Sequence, residues 1–177
     1  MNRLINADDI KQYKDIGKKV DEEKINQIID LAQDVDLRGL LNNDFYFEVI
    51  NHKDEANYQD ALTGSTFGLN GALYSHFGIK AILVDFFYAR YVMQVNVNIT
   101  PFGSTTKLSD DSEATPISVL KDIAKTNEQQ AMAKWQLTKM YLDANKNLFQ
   151  FWNTHTSTND SSSNRLSFSL IGGRKKY

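Results

Sequence analysis

The chain has 177 residues, 41% of them apolar and 11% aromatic, with a formal net charge of −2. That is enough apolar material for one self-supporting core, and too little positive charge for general nucleic-acid affinity. No cysteine is present, which excludes disulfides, thiolate nucleophiles and cysteine metal sites and fits folding in a reducing cytoplasm.

The opening residues are polar, with no apolar run of the secretory kind, so no signal segment is expected. A first helix should start near Asn6, with Asp8 and Asp9 in its first turn against the positive end of the macrodipole. Ile10, Tyr13 and Ile16 supply its apolar positions and Gly17 stops it. Asp21 reads as the cap of a second helix, although Lys24 stands where a capping box would carry Glu. Ile25, Ile28, Ile29, Ala32 and Val35 then recur at spacings of three and four, giving one buried face. Leu37, Leu40 and Leu41 continue the stripe into Asn42-Asn43-Asp44, a turn and cap. Phe45, Tyr46, Phe47, Val49 and Ile50 form a short apolar element compatible with helix or strand, and helical neighbours favour helix.

Tyr58, Ala61 and Leu62 make a short amphipathic turn that Gly64 ends, and residues 65–71 read as a glycine-containing loop. A helix is expected from Leu73 or Phe77 to Val97, apolar almost all round and therefore central. Lys80, Asp85, Arg90, Gln94 and Asn96 make it too polar to span a bilayer. Asp85 and Arg90 should each find a partner on a neighbouring helix or snorkel to solvent. Residues 98–115 are a long polar connection between Pro101 and Pro116, the only prolines. After Thr115-Pro116, in cap and first-turn order, a helix is predicted to about Asn153. Ile117, Leu120, Ile123, Ala124, Ala131, Trp135, Leu142 and Phe149 trace one apolar line along it; Leu137, Tyr141, Leu148 and Trp152 trace another. Such a helix is about 55 Å long, so it should either break near Thr126-Asn127 or project onto a partner. Residues 154–164 are low-complexity and polar. Beyond them Leu166, Phe168 and Leu170 alternate with serines before Ile171 and Arg174-Lys175-Lys176-Tyr177, the pattern of an arm that becomes a strand on another sheet edge.

Catalytic signatures are missing from this pattern. His52, His76 and His155 have no partners at ligand spacing, and no metalloprotease, calcium-loop, phosphate-loop or nucleophile-elbow motif occurs. Asp8-Asp9 and Asp21-Glu22-Glu23 are explained by helix dipoles. The Asp110-Asp111 to Glu113 cluster is at most a weak cation site, and Gly64, Gly68 and Gly71 lack the register of a phosphate cradle. Asp54-Glu55 before Tyr58 reads as a solvated helix start. Arg174, Lys175 and Lys176 fit either a solvated terminus or a salt-sensitive contact with an acidic surface or nucleic acid. No cofactor and no metal is expected, and the chain is not expected to be an enzyme.

The run Leu4-Ile5-Asn6-Ala7-Asp8-Asp9-Ile10-Lys11, then Ile25 to Gln33 and Asp36-Leu37 to Leu41, resembles the small head–tail connector (adaptor, or ring) proteins of tailed phages, above all those of Bacteroidetes-infecting and crAss-like phages. Tyr58-Gln59-Asp60-Ala61-Leu62 before a glycine-containing loop, and Gly78-Ile79-Lys80-Ala81 through Phe87-Tyr88-Ala89-Arg90-Tyr91, extend the likeness over roughly the first hundred residues. The resemblance implies a mainly α fold: a helical bundle with a long final helix, a long inter-helix loop with room for a hairpin, and an extended C-terminal arm. In residue terms this is a helical domain over 1–155 with the 98–115 loop inserted, and a flexible arm over 156–177. It also implies a virion protein, made in the host cytoplasm, that forms a homo-oligomeric ring of about twelve copies below the portal. That ring would extend the DNA channel, let DNA pass without sequence-specific binding, and receive the next tail or neck ring protein, with no membrane contact. Its portal and inter-subunit contacts would come from Phe102, Lys107 and Leu108 in the loop, from Trp152, and from Leu166, Phe168, Leu170, Ile171, Arg174, Lys175, Lys176 and Tyr177 in the arm. The competing reading is a small helical binding or regulatory protein of the cytoplasm that uses the aromatic end of the last helix as a partner groove.

Overall fold

The computed structural model describes residues 2–17, 20–94, 97–100, 103–106 and 115–152, and they are mainly helical. α1 (Ala7–Lys11) opens on a full capping box. The Asn6 side chain accepts the N–H groups of Asp8 and Asp9 at 2.8 and 2.9 Å, and the Asp9 carboxylate accepts that of Asn6 at 2.9 Å. Ile10 is buried as expected, whereas Tyr13 is exposed.

Asp21 caps α2 (Glu22–Leu31) through the Glu23 N–H at 3.0 Å. The helix does not stop at Leu31 but widens into a π-helical stretch, Ala32–Leu37, and tightens again as α3 (Arg38–Leu41). Widening changes which side chains share a face. Ala32 and Leu37, five apart, are both fully buried, while Val35, placed on the buried stripe by a 3.6-residue period, is 56% exposed. The turn also buries Gln33, whose side chain accepts the Leu4 N–H at 2.8 Å and donates to the Asn2 carbonyl and the Tyr46 hydroxyl. A fully satisfied buried amide thereby pins the N-terminal segment to the bundle.

Residues 43–51 are helical: α4 (Asn43–Asn51) is capped by Asn42, which holds φ +60° while its side chain accepts the Phe45 N–H at 3.1 Å. α5 (Ala56–Thr63) follows and ends at Gly64, φ +91°.

Residues 65–71 are not merely a loop. They belong to an antiparallel hairpin of β1 (Thr66–Leu69) and β2 (Ala72–Ser75), with Leu69 opposite Ala72. Asn70 and Gly71, at φ +51° and +78°, make the two-residue turn whose twist matches the strands. The helix expected from Leu73 or Phe77 therefore starts later, as α6 (Gly78–Gln94), and ends three residues earlier than Val97. It is buried almost all round and packs against α7, the π turn, α5 and α2. It is the central helix its composition announced.

A second antiparallel hairpin, β3 (Val97–Thr100) and β4 (Gly103–Thr106), occupies the start of the long polar connection. α7 (Ile117–Ala144) then returns antiparallel to α6, with Pro116 in the cap position. It has 28 residues, shorter than the near-forty expected, and no break falls at Thr126-Asn127. Those two side chains instead donate to the carbonyls of Asp122 and Ile123 at 2.8 Å, within the helix. Past Ala144 the Asn145 side chain donates to the Tyr141 carbonyl, a short 3-10 turn (Lys146–Leu148) follows, and Phe149 and Trp152 fold back into the core. The apolar lines drawn along α7 hold for Leu120, Ala124, Ala131, Trp135, Tyr141 and Leu142, which are buried. They fail at Ile117, 61% exposed, and at Ile123 and Leu148, also exposed. The domain boundary at 155 and the arm over 156–177 lie outside the described residues.

Candidate functional site

A catalytic constellation would be found among the buried polar groups. Asp85, at the middle of α6, has no solvent exposure. Its carboxylate stands 3.0 Å from the Lys14 ammonium and 2.6 Å from that of Lys134 on α7. Both contacts are ion pairs within a buried setting, where the opposite charges offset the cost of removing the carboxylate from water. Lys14 also donates to the Asn127 side chain at 2.8 Å. Arg90, one turn further along α6, makes a bidentate pair with Asp36 in the π turn at 2.6 and 2.8 Å. Each of the two charges thus found a neighbouring element.

Glu48 is the other buried carboxylate among the described residues. One oxygen accepts the Tyr58 hydroxyl at 2.7 Å and the Gln150 N–H at 2.6 Å; the other accepts the Phe151 N–H at 2.8 Å. Burial, and then the Glu48 carboxylate, push the Tyr58 phenol up. Tyr46 donates to Asp34 at 2.6 Å, and burial above all raises it to about 12. Both phenols stay protonated donors at neutral pH.

His76 is 6% exposed, stacks on Tyr141 at 4.1 Å and shares Nε2 with the Ser65 hydroxyl at 3.1 Å. Burial lowers its pKa to about 4, against the opposing pull of Asp60. A serine beside a histidine invites comparison with a nucleophile and its base. Among the described residues Nδ1 has no partner to orient the ring, and the ring is walled in by Phe67 and Tyr141. The pair fastens β2 to the core. His52 stacks on Tyr58 and meets Glu55 at the surface. Among the described residues no three His, Asp or Glu side chains stand together as metal ligands, and no helix is long and apolar enough to cross a membrane.

The uncovered apolar side chains are the better candidates for function. At the end of the molecule where α6 begins, Leu73 is 78% exposed on β2 and Phe77, just before α6, is 52% exposed, the Phe77 ring lying 5.6 Å from the Lys134 ammonium. At the other end, where α7 begins, Ile117, Val119 and Ile123 are exposed, one turn from the region where Ala124 and Glu128 face Met93 and Gln94 of α6 across a shallow cleft. The two patches are separated by about 22 Å of α7 between Val119 and Lys134, at 1.5 Å per residue.

Of the contact residues expected from sequence, Trp152 is described, and it is not on a docking face. It is 5% exposed, 5.0 Å from the Phe45 ring and 6.0 Å from that of Trp135, and its indole N–H donates to Asp143 at 3.0 Å. Trp135, Tyr141 and Phe149 are buried with it, while Phe151 is exposed. Phe102, Lys107, Leu108, Leu166, Phe168, Leu170, Ile171, Arg174, Lys175, Lys176 and Tyr177 lie outside the described residues, as do His155 and the Asp110–Glu113 cluster. Leu73 and Phe77 escaped the sequence reading because they were placed in a helix. The signal that would have found them is Asn70-Gly71, a two-residue hairpin turn between apolar runs.

Residues 37–162 match the model of a family of unknown function (DUF6712), and the chain belongs to that family. Comparison with curated proteins gave no match, and comparison with solved structures gave none.

Proposed function

We propose that the chain is a structural subunit of a phage-type head–tail connector, a ring-forming adaptor placed below a portal, and not an enzyme. The observation that carries the reading is that exposed apolar side chains stand at both ends of the α6–α7 pair, Leu73 and Phe77 at one and Ile117, Val119 and Ile123 at the other, among the exposed apolar residues of the described chain. A two-fold dimer needs one self-complementary patch. A head-to-tail ring needs two different ones on a rigid body, and it closes when the rotation between copies divides the circle. The buried carboxylates support the same reading, since Asp85 and Glu48 are engaged in holding elements together. Portal, next neck ring and passing DNA are the partners that the sequence resemblance implies for such a ring.

Native mass spectrometry over a concentration series, with electron images of any large species, tests the proposal. A closed ring near twelve copies is the expected outcome, and Leu73→Asp or Val119→Asp should each reduce it to monomer. A stable two-fold dimer, or a chain that stays monomeric both alone and with the portal of its own phage, removes the ring. The alternative, a helical binding or regulatory protein, then takes its place.

A further inference from the structure

We infer that the open edge of β2 is the seat of the chain's own segment around Leu166, Phe168 and Leu170, which adds there as a third strand. The inference goes beyond the ring and survives its failure, because seat and occupant both belong to this chain.

The seat is defined by register. Antiparallel pairs alternate between those that exchange both backbone hydrogen bonds and those that exchange none. In a two-residue hairpin the closing pair, here Leu69 and Ala72, is bonded, and so are Phe67 with Tyr74 and Ser65 with His76. The His76 N–H to Ser65 carbonyl bond at 3.0 Å fixes that phase. Leu73 and Ser75 therefore turn their N–H and C=O groups away from β1, and among the described residues no further strand pairs with β2. All four residues of β2 are exposed. An edge of this kind is a template for another strand. It carries neither a proline nor a charged side chain to discourage one.

The side chains say what the strand should look like. On the inner face Phe67 is buried against Tyr141, at 5.5 Å, and stacks on Tyr74 at 5.8 Å, while Tyr74 is itself 36% exposed. The aromatic ladder stops at Tyr74. On the outer face Leu73 is opposite Gly68, which offers it no side chain. A strand that alternates large apolar residues with small polar ones would place its apolar side chains beside Ala72 and Tyr74, continuing the ladder, and its small residues outward. Leu166, Ser167, Phe168, Ser169 and Leu170 have that alternation.

The segment can also reach. The described chain ends at Trp152, and touching rings lead from there to the seat: Trp152 to Phe45 at 5.0 Å, Phe45 to Phe149 at 5.7 Å, Phe149 to Tyr141 at 6.3 Å, Tyr141 to Phe67 at 5.5 Å. Residues 153–165 span up to about 45 Å when extended, which covers this path with slack.

The test is residue-resolved amide exchange of the full-length protein by NMR, compared with its Phe168→Asp and Phe168→Tyr variants. At an unoccupied edge the Leu73 and Ser75 amides exchange at the rate of an unstructured chain. With the segment in place they are slowed at least tenfold in the native chain and in Phe168→Tyr, and released in Phe168→Asp, while the amides inside α6 keep their protection in all three and certify the fold. Protection that persists on dilution assigns the strand to the same copy; protection that fades on dilution assigns it to the same segment of a second copy. Unprotected Leu73 and Ser75 amides in the native chain overturn the inference, and so does protection that Phe168→Asp leaves intact.

Discussion

The backbone of Gly64 lies directly against that of Gly78: a methyl group built on Gly78 would stand 2.4 Å from the Gly64 nitrogen and 2.4 Å from the Leu62 carbonyl oxygen. The end of α5 and the start of α6 cross at this point with no room for a side chain. Both glycines hold left-handed backbone, φ +91° and +79°. Gly78→Ala should therefore cost about 3 kcal/mol or more, from strain and overpacking together. Gly71, also at positive φ but with open space around it, should cost only about 1 kcal/mol as Ala. Urea denaturation of the two variants checks the ordering, and equal losses would contradict the crossing.

Glu48 replaces solvent for two backbone N–H groups after α7, so Glu48→Gln puts an NH2 donor against donors that need an acceptor. A loss of about 2 kcal/mol is expected, with faster exchange at the Gln150 and Phe151 amides than elsewhere. Hydrogen exchange read by mass spectrometry on peptides from 145–152 measures it.

Asp85 is the only buried counter-charge that Lys14 and Lys134 share among the described residues. Asp85→Asn should destabilise by about 3 kcal/mol, in the range found when one partner of a buried pair is removed. Adding Lys134→Met to that variant should cost less than the sum of the two single changes, because the second charge no longer opposes anything. A double-mutant cycle in chemical denaturation gives the coupling directly; strict additivity would mean that the ion pair does not couple α6 to α7.

His76 makes stability depend on pH with a definite sign. Its folded pKa is lowered to about 4 by burial, while in the unfolded chain it titrates near 6.5. Between those values the unfolded state binds a proton that the folded state refuses, so stability is full above about pH 6.5 and falls as pH drops toward 4, by about 3 kcal/mol in all. His76→Phe keeps the stack on Tyr141 and removes the proton, and should flatten this window. The comparison is a pair of thermal melts at pH 7 and 5, in which the native chain loses more than the variant.

The helix starts were legible because they depend on a few neighbouring residues: Asn6 with Asp9, Asp21 before Glu23, and Asn42 before Phe45 are local donors and acceptors that any fold would use alike. The central burial of α6 was legible from its composition. The β1–β2 hairpin was legible in principle, since Asn70-Gly71 encodes the turn, but Leu73 and Phe77 also suit a helix and the period alone does not separate the two. The candidate surfaces shared that fate, as a side chain placed on the wrong element is placed on the wrong face.

What the sequence determined by itself was therefore the local chemistry: caps, turns, the absence of cysteine, and a mainly helical chain with one all-round apolar helix. What only the tertiary structure decided were the places where distant residues overrule local preference. Ala32–Leu37 widens to a π turn and sends Val35 outward, with Gln33 buried where it meets Leu4 and Tyr46. α7 stops at Ala144 rather than running on as a rod, and Glu48, about a hundred residues earlier in the chain, receives the backbone N–H groups of the turn that follows. Propensity sums over neighbours, but a buried carboxylate that accepts two backbone N–H groups from the far end of the chain acts across the whole fold, and Trp152, next in sequence, is buried in the core.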